Sequence, residues 1–332
     1  MSIDSRAGGD IDPDIRRFVA ETAAAYAKGG VFERLSFVEQ RQLAESVRAP
    51  WRRGGPVMAS IAERQIATPH GPVGIRLYDP SGRAGKPALV YLHGGGWTLF
   101  SLDTHDRVMR EYAHAADVVV VGVDYALSPE ARFPVALEQV TAVVRSLSQA
   151  GGELGIDTNQ IAVGGDSAGA ALSLATALKL RDEGDGDLLC ALLLIYGAFD
   201  TETSEQATQR YGGPAYMLSA AELNGFWNNY LASPEDAQNP LARPILADLH
   251  GLPPVILTVA KCDILAERSL ALAERLSAAK VPVQLDVYKG ATHSFLEAVS
   301  IAPIAAKAIA DGAAWLREQL AAAPVPAPID RA

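Results

Sequence analysis

Residues Gly165-Asp166-Ser167-Ala168-Gly169 place a serine between two glycines, where the apolar run Ile161-Ala162-Val163 gives way to helix formers at 170–175. A G-x-S-x-G turn between strand and helix has the shape of a nucleophile elbow. It holds the serine backbone in a strained conformation, so that the hydroxyl projects above the edge of a sheet. Side chains at the two glycine positions would collide where helix and strand cross closely. A chain with 29 glycines makes such a pattern by chance, so its weight comes from what surrounds it.

The second chemical feature is His93-Gly94-Gly95-Gly96-Trp97, directly after the strand-like Ala88–Leu92. Attack by a serine on an ester carbonyl creates a tetrahedral oxyanion, which needs backbone N–H donors aimed at it. Consecutive glycines let the main chain approach a substrate without a side-chain clash. A loop of this type is the partner of the elbow serine. A phosphate-cradling loop is the competing reading, but neither a G-x-G-x-x-G register nor a G-K-[ST] follows.

A triad on this architecture runs serine, then acid, then histidine. Of the six histidines only His250 and His293 follow Ser167. His293 comes just after the apolar run Val283–Tyr288, at the carboxyl end of a strand, where sites in open α/β sheets collect. His250 precedes Val255–Ala260, belongs to the opposite edge and reads as a surface histidine. Among the acids between Ser167 and His293, Asp263 alone comes immediately past a strand's carboxyl end. It lies 293 − 263 = 30 residues before His293, room for one helix and one strand. Glu267 is the alternative acid, and the plainer reading of Asp263 as a helix N-cap need not exclude catalysis.

These residues need elements to position them. Continuous apolar runs at 88–92, 118–123, 161–163, 191–196, 255–260 and 283–288 read as strands covered on both faces. Helical patterns fall between them at 103–116, 134–149, 168–182, 264–280 and 302–320. That alternation predicts a mostly parallel sheet flanked by helices, an α/β fold. Residues 56–79 read as a hairpin about His70-Gly71-Pro72. Two helices are expected in 13–50, with Ile15, Phe18, Val19, Ala23 and Tyr26, then Leu35, Val38, Leu43 and Val47, on their apolar faces. The rhythm breaks after Phe199, where Tyr211, Tyr216, Phe226, Trp227 and Tyr230 accompany a helix pattern at 220–231. The expected organisation is N-terminal cap helices at 1–55, a catalytic domain at 56–199 and 241–322, a cap insertion at 200–240, and a flexible proline-rich tail at 323–332. The plainer reading of 200–240 is a surface excursion.

A chain of 332 residues with 49% hydrophobic and 20% charged residues is globular, and a net charge of −10 argues against nucleic acid and anionic membranes as partners. No apolar run approaches the ~18 residues of a membrane helix. Residues 1–10 hold no apolar signal-peptide core, so the cytoplasm is the expected compartment. Cys190 and Cys262 read as buried apolar fillers.

Taken in order, the motifs resemble the hormone-sensitive-lipase-type esterases, bacterial family IV of the α/β hydrolases. The resemblance rests on His93–Trp97, Leu102-Asp103-Thr104-His105-Asp106, Val123–Glu130 with Phe133-Pro134, Gly165–Gly169, Gly251–Pro254, Asp263 and His293-Ser294-Phe295. It implies an α/β-hydrolase fold with a helical cap. It further implies Ser167 as nucleophile, His293 as general base and acid, Asp263 as its orienting group, and the N–H groups of Gly95, Gly96 and Ala168 as the oxyanion hole. Many members form homodimers, which is the family's statement about assembly and not a reading of these residues. The chain departs from the family at Asp263-Ile264-Leu265-Ala266-Glu267, where Asp-Pro-Leu-Arg-Asp is common, and at Ala170, where a glycine is common.

The function expected is a serine carboxylesterase acting on short- to medium-chain acyl esters, with no metal or organic cofactor implied. An amidase, peptidase or acyltransferase would use the same parts, and a non-catalytic small-molecule receptor would be expected to lose a triad member. Trp97, Tyr196, Tyr216, Trp227 and Phe295 are the candidates to line the substrate pocket.

Overall fold

The computed structural model describes residues 9–322, so the expected tail at 323–332 lies outside the described residues. Its centre is an eight-stranded sheet built from β1 (Ser60–Ile66), β2 (Val73–Asp79), β3 (Lys86–Leu92), β4 (Val119–Asp124), β5 (Ile156–Asp166), β6 (Ala191–Ile195), β7 (Val255–Cys262) and β8 (Val283–Thr292). The spatial order is β1-β2-β4-β3-β5-β6-β7-β8. The first two strands form the hairpin, β2 runs antiparallel to β4, and every later pairing is parallel.

Parallel strands need crossover helices. These are α3 (Asp106–Ala116), α4 (Val135–Ala150), α5 (Ala168–Asp182) and α8 (Ala266–Ala278), while α9 (Pro303–Ala322) follows β8 and packs back on the sheet. All five residues of β6 are buried, and both α5 and α9 pack on that strand. That double cover explains its unbroken Ala-Leu-Leu-Leu-Ile sequence, with no polar alternation. The central helix α5 is apolar on all sides, and its residues 168–178 are all buried.

Close approach of α5 to the sheet is set by two glycines. A Cβ on Gly165 would stand 2.1 Å from the Leu92 carbonyl oxygen, and one on Gly169 would stand 1.9 Å from the same atom. Backbone cannot swing aside as a flexible side chain can. Gly169→Ala is therefore expected to cost about 3 kcal/mol, the upper end of the overpacking range. An unchanged urea midpoint at unchanged slope would show that the crossing has slack.

Two further segments lie over the carboxyl ends of the strands. The first holds α1 (Pro13–Lys28) and α2 (Phe37–Arg48), begun by an Asp12 N-cap and a Ser36–Glu39 capping box. The Arg41 side chain of α2 donates to the carbonyls of Thr98 (2.8 Å) and Ser128 (2.9 Å), fixing this helix to the loops after β3 and β4. Val38, expected on the apolar face of α2, is exposed, whereas Arg48 is buried. The second segment holds α6 (Glu205–Tyr211) and α7 (Ala220–Tyr230). Among the described residues no helix is long and apolar enough to cross a membrane.

Candidate active site

The site assembles at the carboxyl ends of β3, β5, β7 and β8. After β5 the chain turns at Ser167 with φ 53° and ψ −117°, a conformation that costs a non-glycine residue about 1–3 kcal/mol. Surrounding hydrogen bonds hold it there. The Ser167 N–H donates to Ile195 (2.9 Å), and the Ser167 carbonyl accepts from Ala170 and Ala198 (3.1 Å each). The hydroxyl is thereby left free to face His293, with Oγ 2.8 Å from Nε2.

His293 follows β8 directly, and its Nδ1 lies 2.8 Å from Asp263 Oδ2. A carboxylate can only accept, so Nδ1 carries the proton and Nε2 is left to accept from the serine hydroxyl. Asp263 follows β7, and its other oxygen accepts from the Leu265 N–H at 3.0 Å. Burial would push the His293 imidazole down, but the charge and hydrogen bond of Asp263 outweigh it and hold its pKa above the ordinary value. Glu267 does not reach this row; its carboxylate accepts from the Ser204 hydroxyl. His250 is exposed and pairs with Asp248.

The glycine loop lies beside the serine. Gly95 and Gly96 have φ of 108° and 61°. A Cβ on Gly95 would meet the Leu99 carbonyl at 2.3 Å, and one on Gly96 would fall within the Phe226 ring at 2.1 Å. The N–H groups of Gly95, Gly96 and Ala168 find no acceptor among the described residues. His93 supports the loop from beneath. Its ring stacks on Tyr125 (4.5 Å, 15°), and its Nδ1–H donates to the Gly94 carbonyl at 2.7 Å. Burial, with His105 nearby, lowers the His93 pKa to about 3, so the ring is neutral at working pH.

Asp166, the second residue of the elbow, joins loop to elbow. Its Oδ1 accepts from the Gly94 N–H (3.0 Å) and from the Tyr91 hydroxyl (2.9 Å), and His105 Nε2 lies 3.3 Å away. Burial would raise this carboxyl, but the charge and hydrogen bond of His105 bring its pKa below the usual carboxylate range. Sequence reasoning gave Asp166 and His105 no role, although both sit in motifs that carry the resemblance.

The candidate pocket residues divide. Tyr196 and Phe295 lie at the row, with the Tyr196 ring 5.1 Å from His293 and 5.7 Å from Phe295. Trp97 and Trp227 form one cluster with Tyr230, where Trp97 stacks on Tyr230 at 4.1 Å and packs on Trp227 at 4.6 Å. Tyr216 packs edge-on against Tyr211, with its hydroxyl directed to Asp10. A Ser219–Glu222 capping box starts α7 and so sets the register that brings Phe226 over Gly96 and Trp227 against Trp97. In sequence Phe226 reads as one more apolar position on that helix, with no signal of what it faces. Two open surface depressions, about 630 Å³ beside Glu138, Arg145 and Lys179 and about 300 Å³ beside Arg76, Asp103 and Asp124, do not include Ser167. Among the described residues no group of three or more His, Cys, Asp or Glu could hold a metal ion.

The strand order, the strained elbow and the histidine after the last strand define an α/β hydrolase. Known proteins agree. The alpha/beta hydrolase fold family matches residues 89–297. An acetyl esterase of Salmonella choleraesuis (strain SC-B67) is 37% identical over 284 residues, covering 85% of this chain and 87% of the relative. The hyperthermophilic esterase of the archaeon Pyrobaculum calidifontis superposes with a TM-score of 0.87 at 31% identity, over 93% of this chain and 98% of its own. A thermostable esterase from Pseudomonas putida gives a TM-score of 0.87 at 27% identity, over 94% and 98%. The chain therefore belongs to the α/β hydrolases, in their hormone-sensitive-lipase-type branch, and is a carboxylic ester hydrolase.

Proposed function

We propose that the enzyme hydrolyses short- to medium-chain acyl esters through an acyl-enzyme on Ser167. The observation that carries this reading is the row Ser167–His293–Asp263, closed by two contacts of 2.8 Å at the carboxyl ends of the parallel strands β5, β8 and β7. In the first half-reaction Ser167 Oγ attacks the ester carbonyl carbon while His293 Nε2 takes the hydroxyl proton. The carbonyl oxygen becomes an oxyanion and accepts from the N–H groups of Gly95, Gly96 and Ala168. Collapse breaks the bond to the alcohol, which leaves with the proton from Nε2. In the second half-reaction water attacks the acyl carbon, gives its proton to Nε2, and Ser167 leaves with that proton as the carboxylic acid forms. Asp263 holds the imidazole in the required tautomer throughout.

The segments bearing α1, α2, α6 and α7 act in this reading as a cap. Phe226, Trp97, Tyr196 and Phe295 crowd the neighbourhood of the row and the glycine loop, which favours compact acyl groups over long ones. The acetyl esterase likeness points the same way.

A panel of p-nitrophenyl esters from acetate to dodecanoate tests the reading, run with and without stoichiometric labelling by an organophosphate. Activity is expected to be greatest on the shorter esters, to fall steeply toward dodecanoate, and to vanish as one label per chain attaches to Ser167. Hydrolysis that survives full labelling would refute Ser167 as nucleophile, and faster cleavage of matched aminoacyl amides would move the substrate class.

A further inference from the structure

The Arg48–Glu297 pair lies behind the site and is not used by the mechanism above. Arg48 is near the end of α2, and Glu297 is four residues past His293, in the 3-10 turn Phe295–Ser300. Arg48 Nε lies 2.8 Å from Glu297 Oε2, with the two side chains 4% and 3% exposed. The approach is close but poorly directed. Nε and Nη1 of Arg48 and both carboxylate oxygens of Glu297 make no hydrogen bond among the described residues. A buried pair with unmet hydrogen-bonding capacity is a weak source of stability, because desolvating two charges offsets their attraction.

The position of the guanidinium is more informative than its energy. It lies over the Phe18 ring of α1 (5.7 Å) and the Phe100 ring (5.0 Å), and its Nη2 is 3.9 Å from the Met217 sulfur. Phe100 in turn packs behind Gly95, since a Cβ there would reach its ring at 2.8 Å. One cation thus touches the N-terminal helices, the segment after the glycine loop, the 200–240 insertion and the turn that follows His293. Backbone strain gathers around it. Phe100, Met217 and Ser294 have φ of 71°, 75° and 59°. Such conformations persist only where their surroundings over-determine them.

We propose that Arg48 and Glu297 are positioning residues for ester hydrolysis, the tie that registers the cap helices and the glycine loop against the histidine turn. The inference rests on His293 being the base. By itself, neither residue touches the reacting atoms. Arg48 acts on the glycine loop through Phe100, and Glu297 acts on His293 through the three residues between them, Ser294-Phe295-Leu296. Misplacement of reacting groups by about 1 Å costs about 100-fold in rate even when the change is remote.

The test separates position from stability. Arg48→Met leaves a buried carboxylate alone and Glu297→Leu leaves a buried cation alone, so either single variant can lose the fold. The double variant R48M/E297L buries two apolar side chains instead, and it is expected to melt within a few degrees of the wild type. Its kcat on p-nitrophenyl acetate is nevertheless expected to fall about 100-fold. A double variant that recovers both melting temperature and wild-type kcat would show the pair to be structural only, and a loss confined to KM would assign it to substrate entry; either result overturns the proposal. Failure of the base assignment is seen separately, as wild-type activity that survives labelling of Ser167.

Discussion

Ser167→Ala is expected to lower kcat by about 10⁴–10⁶ while the protein remains folded. The two halves of that statement rest on different atoms. The main-chain bonds of Ser167, to Ile195, Ala170 and Ala198, do not involve the side chain. Alanine keeps the Cβ, so the strain at φ 53° is carried over unchanged. The lost atom is Oγ, whose recorded contact is His293 Nε2. In the proposed mechanism the glycine-loop donors would still face the carbonyl without it, and catalysis of roughly 10³–10⁴ over water is what such sites retain. The comparison is kcat on p-nitrophenyl acetate beside the urea midpoint of each protein. A variant with an unchanged midpoint and more than a tenth of wild-type kcat would remove Ser167 from the chemistry.

Much of this site was legible in the sequence because each part has a local cause. The elbow needs glycine on both sides of the serine, and a Cβ on either Gly165 or Gly169 would come nearest to the same atom, the Leu92 carbonyl oxygen. The buried strands declare themselves as apolar runs, and His293 and Asp263 follow from the order of those runs. Boundaries were less legible where polar residues extend an element. β5 begins at Ile156, and its residues 157–160 are polar and partly exposed, so they carry no apolar signal. The seven-residue α6 is too short for a helical period to show and is marked only by its Ser204 cap.

Long-range polar partners were illegible. Arg48 reads as one charge on an amphipathic helix, and its burial depends on Glu297, 297 − 48 = 249 positions away. Asp166 occupies the variable place of the elbow pattern, and only the folded chain brings its carboxylate to the Gly94 N–H. Phe226 differs from its neighbours on α7 only in what faces it, the bare Cα of Gly96. Burial and periodicity identify elements; which side chains meet above the sheet is decided by segments far apart in the chain.

Asp263→Asn is expected to cost about 10⁴ in kcat, because it attacks the tautomer and not the geometry. An amide of the same shape can donate to Nδ1, which transfers the ring proton to Nε2. The nitrogen that must accept from Ser167 is then a donor, and the hydroxyl loses its base. The pH profile reports the same change independently. The proposed mechanism requires neutral His293, so kcat/KM should rise with pH through the imidazole titration. Burial opposes charging of that ring, but Asp263 outweighs it, with smaller contributions from Asp166 and Glu297. The wild-type acid limb should therefore have its midpoint above about 6.5, the value of a free histidine. In Asp263→Asn the burial persists and the dominant charge is gone, so the midpoint should move to lower pH. A profile unmoved by the substitution, together with kcat within tenfold of the wild type, would exclude Asp263 as the orienting acid. Glu267, whose carboxylate is engaged by Ser204 in the native arrangement, would have to swing to the histidine to replace it. A Glu267→Gln variant of normal activity would close that route and leave Asp263 as the group that sets the proton on His293.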